Sequence, residues 1–283
     1  MDSPPDQAII TRDQTPSGTA PPSPRNAFSV LMASVQQPSR APPPRFHGRL
    51  ALGAYTADPS SSSPSSSSSS SSTVIYRNDD FVAIHDKYPK ATVHALLLPR
   101  SAAHNLLHPF EAFRDAAFLA AVQAETARLR ALVAAELQRR LGRYSRSERQ
   151  RQAVLDGVEE EPPPAQGLPL LPLPLPPGRD WAAEVICGVH AVPSMSHLHV
   201  HVLSRDMRSG CVRHRKHYNS FTTPFFVDLM DFPLREGDAR LDPRGGGYLR
   251  SELRCWRCGK GFGNAFARLK EHLEGEFVSW RAE

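Results

Sequence analysis

Apolar residues recur along the chain in short alternating or continuous runs that predict strands. Thr73-Val74-Ile75-Tyr76, Phe81-Val82-Ala83-Ile84-His85 and Val93-His94-Ala95-Leu96-Leu97-Leu98 follow one another with only polar turns between them, the pattern of neighbouring antiparallel strands. Two further runs, Glu184 to His190 and His197 to Val202, flank the turn Pro193-Ser194-Met195-Ser196. Helical spacing appears twice. Asn26 to Ser34 places apolar groups behind a capping Asn and stops ahead of Pro38, which predicts a short helix. From Phe110 to Leu141, apolar residues recur every three or four positions among Ala, Glu and Arg, which predicts one long amphipathic helix.

The stretches between these elements lack the apolar content to form a core. Residues 1–25 are polar and proline-rich and read as a disordered tail. The serine tract within residues 57–72 and the segment 143–178, with its acidic run Glu159-Glu160-Glu161 and its Pro-Leu repeats, read as flexible insertions in a single domain. With 283 residues and 40% hydrophobic content, the chain has room for one ordinary catalytic domain, placed at 26–222, and a smaller appendage at 223–283. A formal net charge of +5 is compatible with an acidic partner but modest for this length. Four cysteines without a basic leader and apolar run argue against disulfides, and no apolar run approaches the roughly 18 residues of a membrane span. The expectation is a soluble, intracellular protein with no membrane contact.

The chemistry concentrates in His197-Leu198-His199-Val200-His201-Val202. Alternation on a strand would put the imidazoles of His197, His199 and His201 on one face and the apolar residues on the other. Imidazoles spaced two apart can also grip zinc, and spacing alone leaves that alternative open. The neighbours favour phosphoryl chemistry. His190 lies on the preceding strand, and Ser194 and Ser196 supply hydroxyls in a turn whose backbone N–H groups can face an anion. A neutral imidazole attacks phosphorus without first losing a proton, and the phosphoramidate it forms is hydrolysed readily. His199, the middle histidine, is the candidate nucleophile; a flanking histidine fixes its tautomer, and His190 is the candidate acid.

This segment resembles the histidine-triad superfamily of nucleotide hydrolases and transferases. Asp86-Lys87-Tyr88-Pro89-Lys90-Ala91, Gly188-Val189-His190-Ala191-Val192-Pro193-Ser194-Met195-Ser196 and Lys216-His217-Tyr218-Asn219-Ser220-Phe221 narrow the resemblance to the aprataxin branch, the DNA adenylate hydrolases. It covers most of Phe28 to Trp280 outside the two insertions. It implies an α+β fold in which helices pack on an antiparallel sheet, and removal of AMP from 5′-adenylated DNA ends through a covalent AMP–His199 intermediate. His190 would act as the acid, with His197 and His201 in support and no metal in the reaction. Asp86 would help to hold the adenosine, and Lys90, Ser194, Arg213 and Ser220 would contact phosphates. Arg213 stands where the family leads us to expect a lysine; a guanidinium keeps the charge with a different geometry. Phe28 is similar to the aromatic wedge that aprataxins stack on a DNA end. Without the family pattern, Asp86, Lys90 and Ser220 would read as ordinary turn and strand-end residues, and Phe28 as a core phenylalanine. Basic residues flank the triad, and within them Arg215 and Lys216 would meet the DNA backbone. The resemblance further implies a nuclear monomer of fungal type, with no room ahead of the catalytic region for the phosphopeptide-binding domain of longer animal members.

Near the end of the chain, Cys255-Trp256-Arg257-Cys258 followed by an amphipathic stretch bearing His272 has the form of a small zinc finger. A segment with so little core would draw its folding energy from the metal. No histidine follows His272, and Glu276, one helical turn later, stands in the fourth position. Fungal aprataxins resemble this chain in carrying glutamate there. A water or Glu274 remains an alternative ligand.

Overall fold

Each run of alternating apolar residues becomes a strand of one sheet. The computed structural model describes residues 47–57, 73–157, 175–243 and 245–283. Through them the chain forms α1 (Gly53–Thr56), β1 (Val74–Arg77), β2 (Phe81–His85), β3 (His94–Pro99), α2 (Pro109–Ala112), α3 (Ala116–Leu141), α4 (Arg146–Leu155), β4 (Val185–His190), β5 (Val200–Ser204), α5 (Arg215–Thr222), β6 (Phe226–Asp228), β7 (Leu253–Arg254), β8 (Gly261–Gly263) and α6 (Phe266–Ala282). Strands β1 to β6 lie in the order β1-β2-β3-β5-β4-β6, with every neighbouring pair antiparallel. The predicted tail, the helix at Asn26 to Ser34 with Phe28, the serine tract and residues 158–174 lie outside the described residues.

The pleat sorts side chains by face. Ala83, Ala95, Leu97, Val189, Val200 and Val202 join Leu119, Val122, Leu129, Val133 and Leu137 of α3 in the main core. The opposite face carries His94, Leu96, His190 and His201. Register sets His201 directly across from Leu96 on β3 and from Gly188 on β4. A β-carbon at Gly188 would stand 2.3 Å from the Val227 carbonyl oxygen, so only glycine lets β6 close beside β4.

Three expectations change. The long helix breaks in two, because the Asp115 carboxylate caps α3 by accepting from the backbone N–H groups of Ala117 and Phe118. The histidine strand begins at Val200, so His197 and His199 belong to the irregular approach to β5 rather than to the strand itself. Part of the segment 143–178, read as a flexible insertion, is the helix α4. It is capped by Ser145 and buries none of its residues, so no apolar periodicity announces it. It docks through polar bonds instead: Glu148 accepts from the Trp181 indole at 2.8 Å and from the Arg179 backbone N–H at 3.2 Å.

The C-terminal elements pack onto this frame, and the described residues all belong to one compact unit. Leu253, Leu269 and Leu273 cluster with Leu203, Met207, Tyr218 and Phe221, while Phe277 and Trp280 of α6 enter the main core. The Tyr218 hydroxyl donates to the Arg254 carbonyl and accepts from the Trp256 N–H, both at 2.9 Å. Arg179 lies over Trp181 at 4.7 Å and over Trp280 at 4.9 Å, and it donates to Glu184, which also accepts from the Trp280 indole at 2.7 Å. These contacts hold the end of α6 against β4.

Candidate active site

Hydrogen bonds fix the proton on three of the buried imidazoles, His94, His201 and His199. The Lys90 backbone N–H donates to His94 Nδ1 at 3.1 Å, so the neutral ring carries its hydrogen on Nε2. That hydrogen meets His201 Nδ1 at 3.0 Å, which leaves the His201 hydrogen on Nε2. His199 has the opposite arrangement. Its Nδ1 faces the His197 carbonyl at 2.7 Å, so Nδ1 donates and Nε2 keeps the lone pair. His190 lies beside His201, with ring centroids 4.5 Å apart, and its buried Nε2 has no hydrogen-bond partner among the described residues. Asp86, His94 and His201 are close enough to share a cation. The network argues against one, because His94 Nδ1 already accepts a hydrogen bond and a neutral imidazole has only one lone-pair nitrogen.

These groups open into a cavity of about 700 Å³ that His190, His199 and His201 line together with Asp86, Lys90, Ser194, Ser220 and Lys216. Leu52, Tyr55, Ile84 and Met195 give it an apolar wall. Not every candidate residue reaches it. His197 is buried and contributes its carbonyl rather than its ring to the arrangement. Arg213 is exposed and absent from the lining; its backbone N–H donates to His217 Nδ1, and it is His217 that forms the wall. Arg215 is hydrogen-bonded to Asn264 of the C-terminal module.

His94, His217 and Tyr55 escaped the sequence reading. His94 stands two positions from Leu96 and four from Leu98, so strand alternation assigns it to their face. Nothing local pairs it with His201, 107 residues away. Asp206, also missed, is buried and ties the start of β3 to the end of β5. It accepts from the Thr92 backbone N–H at 3.1 Å and hydroxyl at 2.9 Å, and from the Ser204 hydroxyl at 2.5 Å.

A second cluster gathers at the β7–β8 hairpin. Ligand atoms of Cys255, Cys258, His272 and Glu276 all lie within 4.8 Å of one another. Cys258 Sγ is 3.2 Å and Glu276 Oε1 3.3 Å from His272 Nε2. Tetrahedral zinc, with bonds of roughly 2.0–2.3 Å, spaces its ligands about 3.3–3.8 Å apart, so this donor set fits the ion with small adjustments. Glu274, the other carboxylate weighed for the fourth position, is paired with Arg208.

The HIT-domain family profile matches residues 67–208, and that of the C2HE / C2H2 / C2HC zinc-binding finger matches residues 222–279. The aprataxin-like protein of Schizosaccharomyces pombe is 28% identical over 90% of this chain and 94% of its own length. The aprataxin-like protein of Saccharomyces cerevisiae is 31% identical over 73% of this chain and 88% of its own. The chain belongs to the aprataxin-like HIT family. A solved structure of Hnt3 in complex with DNA and guanosine superposes with a TM-score of 0.57 at 26% identity, covering 82% of this chain and 96% of that one. The expected fold class, an α+β HIT domain with a C-terminal zinc finger, is therefore the one this aprataxin-like chain adopts. Among the described residues, no helix is long and apolar enough to cross a membrane.

Burial governs the electrostatics of the aprataxin-like cavity. It pushes His94 down from 6.5 to about 4 and His190 to about 3, and it lowers His199 and His201 as well. All four are therefore neutral at pH 7, as the hydrogen-bond chain requires. Their pKa values are depressed in the folded state, so below 6.5 the unfolded chain binds protons that the folded chain refuses. The stabilisation is complete above that value and is lost as pH falls through it toward 4 and 3. The thermal midpoint should accordingly drop by several degrees between about pH 7.5 and about pH 5.5, at roughly 2–4 °C per kcal/mol. Scanning calorimetry across that range tests this, and a flat profile would mean that the imidazoles are solvated or already charged.

Proposed function

We propose that this protein is a DNA 5′-adenylate hydrolase, which clears AMP from abortive ligation intermediates in single-strand break repair in the nucleus. The observation that carries the reading is His199, buried on the cavity wall with its Nδ1 hydrogen committed to the His197 carbonyl and its Nε2 lone pair left for attack. The Hnt3 complex with DNA supports nucleic acid as the partner.

In this mechanism His199 Nε2 forms a bond to the α-phosphorus of the adenylate, and the bond from that phosphorus to the oxygen of the DNA 5′-phosphate breaks. His190 gives a proton to the departing oxygen. Burial alone keeps His190 neutral, but a diphosphate anion lodged beside it favours the imidazolium and raises its pKa. Water then attacks the adenylated His199 and passes a proton back to His190. The phosphorus–nitrogen bond breaks and AMP leaves. Lys90, Lys216, Ser194 and Ser220 line the cavity with the cationic and hydroxyl groups that hold phosphate, and the apolar wall around Tyr55 receives the adenine. Asp86 on the lining is assigned to the adenosine, Arg213 and Arg215 to DNA phosphates beyond the cavity, and Phe28, by sequence likeness alone, to stacking on the DNA end. One chain supplies the whole site, so a monomer suffices. Zinc serves structure in the finger, and the histidines need no metal for the reaction.

The decisive experiment compares AMP release from nicked duplex carrying a 5′-adenylated end with release from a small adenylate such as adenosine phosphoramidate. The DNA substrate should be preferred in kcat/KM by at least about tenfold, equivalent to ~1.4 kcal/mol of transition-state binding. A preference for the small substrate would make this a general HIT hydrolase. Release from neither would leave only a nucleic-acid-binding role.

A further inference from the structure

Glutamate is an unusual fourth partner for two cysteines and a histidine, and it changes the charge of the site. Two thiolates and two neutral imidazoles balance a zinc ion; exchanging one imidazole for a carboxylate leaves one net negative charge. Glu276 also divides its two oxygens. Oε1 faces His272 Nε2 at 3.3 Å, on the side where the four ligand atoms converge, while Oε2 accepts from Arg257 Nη1. Arg257 is the residue before Cys258, inside the metal-binding loop itself. Its other Nη donates to Glu283, which approaches Arg179 at 3.9 Å, so the guanidinium is held from two sides.

We propose that Arg257 is a positioning residue for the zinc ligand Glu276. Its guanidinium holds Oε2, so that the carboxylate presents Oε1 alone to the metal, and its positive charge offsets the one that glutamate adds. The proposal rests on the reading of this cluster as a zinc site. A carboxylate free to rotate would exchange its oxygens and could be displaced by water. One clamped by a planar, permanently charged fork stays in a single geometry. The position of the arginine between the two cysteines makes the clamp part of the loop that brings two of the ligands, so loop and carboxylate are set together. Lysine in its place would keep the charge and lose the fork.

The test uses the full chain, loaded with zinc and mixed with a chromogenic chelator, with metal content measured beforehand by mass spectrometry. Arg257→Gln should release zinc about 10–100-fold faster than wild type, the usual effect of removing a ligand's outer partner, and Arg257→Lys should fall between. The same Arg257→Gln change is then made in a Glu276→His background, where there is no carboxylate to clamp. There it should alter release by less than about twofold, because the pairwise interaction is already gone. Cobalt-loaded protein provides a readout independent of stability: the visible ligand-field bands should shift on Arg257→Gln in the Glu276 protein and stay put in the Glu276→His protein. Equal acceleration in both backgrounds would show that Arg257 acts on the fold rather than on Glu276 and would overturn the proposal. So would unchanged release and spectra in both. A wild type that holds less than one zinc per chain would remove the zinc site itself, and that failure appears before any variants are compared.

Discussion

Replacing His199 with alanine should abolish AMP release from an adenylated DNA end, lowering the rate by about 10⁴-fold or more. The size of the effect follows from the network. His190 and His201 both line the cavity, but His201 Nδ1 accepts from His94, so its Nε2 carries hydrogen and has no lone pair to offer. His190 is the proton donor in this scheme and cannot serve as nucleophile without vacating that role. With His190 committed to the proton and His201 without a lone pair to offer, neither neighbour replaces the nitrogen removed with His199. A companion measurement identifies the intermediate: quenching the wild-type reaction in alkaline denaturant, where the phosphorus–nitrogen bond survives, or replacing His190, should leave protein whose intact mass has grown by one adenylyl group. Equal turnover by wild type and His199→Ala would refute the covalent route.

Stripping the zinc, or changing Cys255 to serine, should have the largest effect on stability. Structural zinc contributes on the order of 10–16 kcal/mol to isolated finger peptides, and here the ligand Cys255 sits among Leu253, Leu269 and Leu273, the apolar residues of the finger. In this protein the damage should spread. Cys255 is buried in the cluster that includes Leu203, Tyr218 and Phe221, the last of which lines the catalytic cavity. Phe277 and Trp280 at the far end of α6 belong to the main core. Chelation should therefore lower the melting temperature of the entire compact unit and change the fluorescence of Trp256 and Trp280, whose rings meet edge to face at 6.1 Å. A chelator that extracts the metal without shifting the thermal transition would show that the finger is a separable appendage.

Much of this organisation was legible in the sequence because it depends on local spacing. Alternating apolar residues specify a strand with one buried face whatever its partner, and that placed β1 to β5 near their observed positions. The Cys-x-x-Cys pair, with His272 and Glu276 one helical turn apart, depends on a tight turn and on helical geometry, so its donor set could be assembled on paper. His190, His199 and Ser194, read from strand alternation and the adjoining turn, and Ser220, from family likeness, line one cavity.

Other features exist only once distant segments meet. Helix α4 hid in a polar segment because it is held by Glu148 and not by an apolar stripe, and such docking leaves no periodic signal. Arg213 lies outside the cavity lining, while His217, whose Nδ1 accepts from the Arg213 backbone N–H, belongs to it. The tautomer of His201 depends on His94, which meets it only because β5 pairs with β3. The sequence by itself determined which residues are candidates for the chemistry and which faces are apolar, since both follow from side-chain type and local period. Only the tertiary structure decided where the His201 proton resides, because it is set by His94 across the β3–β5 pairing, 107 residues away along the chain, a register that no local pattern records.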